Sequence, residues 1–180
     1  MILVKHFFSP FQAGIYAALS TLGKIIFFAV SPIAATMFPI IAGRKSRGEK
    51  YGKVFLTSFG ITLIVSITIV FFYWLFPNIA IGILYGKAYL SASIELVWMG
   101  IFILFYTLAS LLVNFSLSLG RTRVVLFPFL AAVIQIVALS IWHNSLLQVI
   151  QVSLVIMTVL FFVISIYLLY NRRIENYGKS

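Results

Sequence analysis

The sequence predicts an all-α integral membrane protein, a bundle of five complete transmembrane helices preceded by a short apolar stub. Of the 180 residues, 63% are hydrophobic and only 9% are charged, and the mean hydropathy is +1.15. Several apolar runs reach about twenty residues, the length that an α-helix needs to cross a hydrocarbon core of about 30 Å. These runs lack the strict alternation that is typical of β-barrel strands, which favours a helical bundle.

The same composition excludes several classes of function. A formal net charge of +10 is compatible with nucleic-acid binding, but the basic residues cluster in short loops between apolar runs, as in membrane proteins. The chain has no cysteine and no aspartate, and it has only three glutamates and two histidines. His6 and His143 lie at opposite ends of the chain and have no carboxylate beside them in the sequence. We therefore predict no catalytic site, metal or cofactor, and no nucleic-acid partner.

The first ten residues are predicted to be the tail of a helix followed by an outer turn. Residues 1–8 are apolar, but about eight residues cannot cross a bilayer. Lys5 interrupts the apolar run and no small-residue cleavage site follows, so the segment does not resemble a signal peptide. We expect the beginning of this helix to lie outside the chain.

The first complete span is predicted at residues 11–42, and it contains Lys24, the only basic residue deep inside an apolar run. At about 1.5 Å per residue, Lys24 would lie some 18 Å from the helix start, near the middle of the hydrocarbon core. A charge at that depth is costly and usually faces a bundle interior or a watery cavity. Lys24 is therefore the main candidate for contact with a substrate. The alternatives are that it snorkels or pairs with Glu95 and serves only stability.

This span has one polar and one apolar face at 100° per residue. The polar face, predicted to line a cavity, carries Gln12, Tyr16, Ser20, Lys24 and Ser31. The opposite face, expected to contact lipid, carries Ile15, Leu19, Leu22, Ile26 and Ile33. Pro32 and Pro39 predict a kink or a tilt.

The second span, residues 54–76, has a hydroxyl stripe formed by Ser58, Thr62 and Ser66, with Tyr73 on the same side. Such residues commonly join membrane helices, but they also line cavities, and both interpretations stay open. Residues 79–89 are too short to span the membrane again and are interrupted by Gly82 and Gly86. We predict an interfacial segment there.

The third span is predicted at residues 91–119, with Glu95 near one end and Tyr106, Ser110 and Asn114 on the same face. The fourth and fifth spans follow at 124–142 and 145–170, and a tail at 172–180 completes the chain. Glu95, Ser110 and Asn114 join the polar residues of the first two spans as candidates for the lining of a cavity.

The distribution of basic residues predicts the orientation of the bundle. With alternating spans, ten of the thirteen Lys and Arg residues fall on one side of the membrane. Two, Lys5 and Lys87, fall on the other side, and Lys24 lies inside the membrane. The basic side is expected to face the cytoplasm, together with the tail.

Several short segments along the chain resemble those of one membrane-protein family. They are Phe8-Ser9-Pro10, Ala13-Gly14-Ile15-Tyr16, Phe38-Pro39-Ile40, Leu84-Tyr85-Gly86-Lys87-Ala88-Tyr89-Leu90, Asn114, and Leu119-Gly120-Arg121-Thr122. In order and spacing, the chain is similar to the C-terminal half of the oligosaccharide flippases, or polysaccharide transporters, of the multidrug/oligosaccharidyl-lipid/polysaccharide exporter superfamily.

The resemblance implies one lobe of a two-lobe exporter in a bacterial or archaeal cell membrane. Such transporters move polyprenyl-pyrophosphate-linked oligosaccharides from the inner to the outer leaflet by alternating access, for the synthesis of surface polysaccharides. The implied partners are the lipid-linked oligosaccharide, membrane lipids, and an N-terminal lobe or a second chain that completes the cavity.

Two other functions stay open at this point. An exporter of another amphiphile or of a cationic drug would share the fold, but a cationic substrate would prefer acidic residues, whereas Lys24 favours an anionic pyrophosphate. A membrane scaffold without transport activity is the second alternative.

Overall fold

The chain forms seven α-helices in the computed structural model, which describes residues 2–177. In chain order the helices are α1 (Ile2–Phe7), α2 (Pro10–Ser46), α3 (Gly52–Leu75), α4 (Pro77–Tyr85), α5 (Ser93–Ser118), α6 (Leu126–Ile141) and α7 (Leu146–Tyr177). Short 3₁₀ helices at Lys87–Ala92 and Thr122–Val125 lead into α5 and α6, and the described residues contain no strand. Met1, residues 178–180 and the side chains of Ile2, Lys87, Ala88, Ser91 and residues 172–177 lie outside the described residues, so the predicted stub and tail are described only in part.

Five of these segments are long and apolar enough to cross a membrane, which confirms the predicted all-α membrane bundle. They are Pro10–Ser46, Gly52–Leu75, Ser93–Ser118, Thr122–Ile141 and Leu146–Asn171, and each overlaps one predicted span. Between the second and third spans, the chain forms the short helix α4 and a 3₁₀ helix, where an interfacial segment was predicted.

Helix α2 begins one residue before the predicted span because its N-terminus is capped. The Ser9 hydroxyl accepts a hydrogen bond from the Gln12 amide, and the Gln12 side chain accepts one from the Ser9 amide. Pro10 occupies the first turn, where a missing N–H costs nothing. The helix then runs for 37 residues, about 55 Å, well beyond the thickness of a hydrocarbon core.

Helix α5 lies at the centre of the bundle. In its most apolar stretch 56% of the residues are buried, against 17% to 22% in the other four spans. Helices α2 and α7 pack along it, α3 packs against both α2 and α5, and α6 packs against α7. The helix with the most protein neighbours is therefore the one with the least surface for lipid.

The two ends of the bundle differ in charge. One end, which we call the basic end, carries Arg44, Lys45, Lys53, Arg121 and Arg123. There the Lys45 ammonium donates to the carbonyl of Leu119, just after the last turn of α5. Carbonyls at a helix terminus lack helical partners, so this bond joins the end of α2 to that of α5.

An exposed ion pair follows α2 at the basic end. The Nε atom of Arg47 lies 2.6 Å from Oε1 of Glu49. The hydrogen bond from Arg47 lowers the pKa of the Glu49 carboxyl, so the pair stays charged to lower pH than an isolated glutamate. Because both side chains are exposed, the pair adds little to stability.

The apolar face of α2 packs inside the bundle, so the prediction that it contacts lipid was wrong. Leu19, Leu22 and Ile26 are at most 1% exposed, and Ile15 is also buried. They belong to the same apolar cluster as Leu96 and Met99 of α5. Hydrocarbon tails are as apolar as a protein core, so a periodic pattern groups the residues of a face without showing what that face contacts.

Two glycines allow the central helices to approach closely. A Cβ atom at Gly23 of α2 would lie 2.9 Å from the Ile103 side chain and 3.1 Å from that of Met99. A Cβ atom at Gly100 of α5 would lie 3.3 Å from the ring of Tyr73. Small residues at such positions are typical of membrane helix interfaces, where van der Waals packing drives association.

The Gly23→Leu variant is expected to disrupt the bundle, because even a methyl group at this position would force apart α2 and α5. Overpacking typically costs about 1–3 kcal/mol for a few methylenes, and leucine adds more. We expect a clear fall in the melting temperature of the detergent-solubilised protein. Gly60→Leu is the matched control, since a Cβ atom at Gly60 meets nothing within 4 Å. Equal stability of the two variants would contradict the close contact.

Candidate functional site

The polar stripe of α3 faces the neighbouring helices. Ser58, Thr62 and Ser66 are buried, and the hydroxyl of Tyr73 donates to the carbonyl of Leu22 on α2 at 2.8 Å. These positions support the packing interpretation of the stripe for most of its length. Thr62 differs, because it also lines a cavity.

A small cavity lies where α2, α3 and α5 meet. Its volume is about 20 Å³, and its lining is formed by Phe27, Val30, Ser31, Ala34, Thr62, Thr107, Ser110 and Leu111. The structure thus brings together Ser31, Thr62 and Ser110, one residue from each of the three predicted polar stripes. Thr107 was not predicted, although its hydroxyl-bearing side chain three residues before Ser110 is a signal that could have identified it.

Ser31 also has a structural role in this cavity. Proline has no N–H, so Pro32 cannot donate to the carbonyl of Phe28 as a normal helical residue would. The Ser31 hydroxyl donates to that carbonyl instead, at 3.2 Å. Inside a membrane such replacement bonds are needed, because no solvent compensates a free carbonyl.

The predicted polar face of α5 is only partly covered. Tyr106 is 41% exposed and its ring packs on Phe27 of α2 at 5.7 Å, while Ser110, Asn114 and Glu95 are half-buried. The Asn114 amide donates to the carbonyl of Ser110 at 2.9 Å. This face therefore remains open along one side of α2.

The polar residues of α2 lie at its surface in this bundle. Lys24 and Gln12 are exposed, and Tyr16 and Ser20 are half-buried. Gln12 is occupied in the cap of α2, which accounts for its conformation without a substrate. No described helix covers Lys24.

Lys24 and Glu95 do not pair with each other. Both side chains are described, and no ion pair joins them. The Oε2 atom of Glu95 is buried and lacks a hydrogen-bond partner within the described part of the chain. Glu95 lies in the first turn of α5, where the helix dipole favours a negative charge. The alternative that Lys24 serves only to neutralise Glu95 therefore has no support in the geometry.

A hydrogen bond of the neighbouring residue Leu22 gives the position of Lys24 along the bundle. The Leu22 carbonyl bonds to Tyr73, which lies two residues before the end of α3 at Leu75. Lys24 therefore lies closer to the end of the bundle that is opposite the basic end than to the basic end itself. The predicted depth was counted from the start of α2, and α2 is longer than a membrane is thick.

Polar residues on α7 were missed by the sequence analysis. Gln151, Thr158 and Ser165 recur every seven residues and are half-buried. Phe161, between the last two, packs edge-on against Phe105 of α5 at 5.8 Å. Seven-residue spacing places side chains on one helix face, so this stripe was a detectable signal.

Both histidines contact the ring of Phe7, at the end of the bundle opposite the basic end. The ring of Phe7 stacks on His143 at 4.0 Å and meets His6 at 5.0 Å. This contact joins α1 to the connection between α6 and α7. Within the described residues no three His, Cys, Asp or Glu side chains lie close enough to hold a metal ion.

Comparison of the chain with protein-family models, with curated proteins and with solved structures finds no match. The geometry of the open polar face and of the cavity is therefore the basis for the function proposed below.

Spin labels on single cysteines can measure the depth of Lys24, and the chain has no native cysteine to interfere. A label at position 24 is expected to have nearly the immersion depth of a label at Trp74, close to the end of α3. A label at Ile64, ten residues from Trp74 and about 15 Å deeper, is the reference for mid-membrane. Both reference side chains are exposed, at 61% and 65%. A depth at position 24 equal to that at Ile64 would contradict this expectation and support the mid-membrane placement.

Proposed function

We propose that this chain is one lobe of a membrane transporter that flips polyprenyl-pyrophosphate-linked oligosaccharide across the cell membrane. The observation that carries the proposal is the open polar face. Lys24 of α2 and Tyr106 of α5 are exposed within membrane spans, and Ser110 and Asn114, further along α5, are half-buried. No described helix covers this face.

An open polar face in a membrane needs a partner. Charged and hydrogen-bonding groups are expensive in contact with lipid, so such faces usually line a water-filled cavity or meet another protein surface. A second lobe or a second chain facing α2 and α5 would enclose a polar route. The sugar and pyrophosphate could then pass along it while the polyprenyl tail stays in the lipid.

The charge of the face favours an anionic substrate. Lys24 is basic, and Glu95, which has one buried carboxyl oxygen, is the only acidic residue in the five described spans. A lysine ammonium is a good partner for phosphate oxygens. A cationic drug would meet the opposite charge, which argues against the alternative exporter. In the proposed orientation Lys24 would meet the pyrophosphate close to the outer leaflet.

The proposed orientation places the basic end in the cytoplasm. Impermeant thiol reagents in intact cells are expected to label Asn78→Cys and Asn144→Cys but not Ser46→Cys. All three positions are exposed, so the difference reports the side of the membrane and not burial. Permeabilised cells provide the control, since all three cysteines should then react. Labelling of Ser46→Cys alone in intact cells would reverse the orientation.

The role of Lys24 can be tested by measuring flipping of a pyrophosphate-linked oligosaccharide in vesicles from cells that produce each variant. Lys24→Gln is expected to lower the rate about tenfold or more at unchanged protein abundance, because the anion loses its charged partner. Lys24→Arg should keep most of the activity, since guanidinium also binds phosphate.

Lys53→Gln is the matched control for this experiment, because it removes an exposed positive charge at the basic end. It should flip at the rate of the unmodified chain. Full activity of Lys24→Gln, or a loss explained entirely by lower abundance, would contradict the anion site.

A further inference from the structure

The hydroxyl of Thr62 is buried without a hydrogen bond. The residue is 1% exposed, and its Oγ1 atom has no partner among the described residues. By contrast, four other threonines in the spans donate to the carbonyl four residues earlier, at 2.7 to 2.9 Å, namely Thr21, Thr36, Thr68 and Thr107. Thr62 instead lines the cavity between α2, α3 and α5. A buried hydroxyl without a partner costs about 1–3 kcal/mol.

The opposite walls of the cavity offer hydrogen-bond acceptors. The Ser31 hydroxyl donates to the Phe28 carbonyl at 3.2 Å, and the Thr107 hydroxyl donates to the Ile103 carbonyl at 2.7 Å. Each has therefore committed its proton and keeps lone pairs that can accept. The Thr62 hydroxyl differs from these two, because its proton has no acceptor among the described residues. The residues that line the cavity thus include one hydroxyl with an uncommitted proton and two hydroxyls that can accept.

The size and charge of the cavity select the ligand. A volume of about 20 Å³ holds one water molecule, which needs about 10–15 Å³, and it cannot hold a sugar. No carboxylate is among the lining residues, so a bare cation would lack a compensating charge in the membrane. A neutral molecule with two donors and an acceptor matches the site.

We infer that one water molecule occupies this cavity, accepting a hydrogen bond from Thr62 and donating to Ser31 and Thr107. It joins α2, α3 and α5 next to Pro32, where α2 lacks one backbone hydrogen bond. The junction of the three helices therefore depends on the water as well as on apolar packing. This inference does not rest on the proposed transport function.

The Thr62→Val variant distinguishes a Thr62 hydroxyl that binds a water molecule from one that has no partner. Thr62→Val keeps the shape of the side chain and removes only the hydroxyl. If the hydroxyl had no partner, valine would stabilise the protein, whereas a water that loses its donor makes valine destabilising. We expect Thr62→Val to lower the melting temperature by about 2–4 °C and Thr62→Ser to melt close to the unmodified protein. An unchanged or higher melting temperature for Thr62→Val would overturn the inference.

Ser66→Ala is the matched control. Ser66 is as buried as Thr62 and its hydroxyl also lacks a partner among the described residues, but it does not line the cavity. We expect Ser66→Ala not to lower the melting temperature. An equal fall for Ser66→Ala and Thr62→Val would show that the loss is not specific to the cavity, which also overturns the inference.

A second measurement uses the unmodified chain, so it does not depend on how a variant folds. In lipid nanodiscs with labelled threonine methyl groups, the Thr62 methyl is expected to show a nuclear Overhauser effect to water, assigned by its loss in Thr62→Ser. The lipid-exposed Thr68 methyl should show none. Absence of the effect at Thr62 would overturn the inference, as would stabilisation by sodium ions that Thr62→Val abolishes, because the ligand would then be a cation.

Discussion

The close contact of α2 with α5 at Gly23 is the constraint on which the rest of the bundle depends. The absence of a side chain there lets Met99 and Ile103 come within a distance that a Cβ atom would prevent. On the neighbouring side of α5, Gly100 does the same for Tyr73. Between helices in lipid there is no hydrophobic driving force, so packing of this kind and interhelical hydrogen bonds must hold the fold together. The bond from Tyr73 to the Leu22 carbonyl is one such bond, and it forms because the two glycines bring α2 and α3 onto α5.

The polar side chains of the spans divide into two groups according to their hydrogen bonds. Many hydroxyls donate to their own helix backbone, as Ser116, Ser153 and Ser165 do, and they need no ligand to be satisfied. Ser153 also accepts from Gln135 and so joins α7 to α6. Thr62 in the cavity and Lys24 on the open face have no such partner in the described chain. The second group is where a ligand, a water or another protein surface has something to contribute.

The length of α2 determines how charge is distributed along the proposed route. Lys24 lies closer to the end opposite the basic end, and Ser31 lies seven residues, about 10 Å, further along the helix. The exposed charge of Lys24 is thus nearer one leaflet, and the neutral hydroxyl of Ser31 is deeper. In the proposed transport this order would hold the pyrophosphate close to the membrane surface, where a charged headgroup costs least.

The amino-acid sequence by itself determined the fold class, because twenty-residue apolar runs can only be membrane helices when their backbone groups must be satisfied internally. It also identified which residues share a helix face, since that depends only on helical periodicity. The tertiary structure decided what each face contacts. The apolar face carrying Leu19 and Leu22 packs on α5. The sequence pattern could not show this, because lipid and protein interior attract the same side chains. The depth of Lys24 and the meeting of Ser31, Thr62 and Ser110 at one cavity depend on how three helices are placed along one another. That placement follows from close contacts at Gly23 and Gly100, which no periodicity within a single helix records.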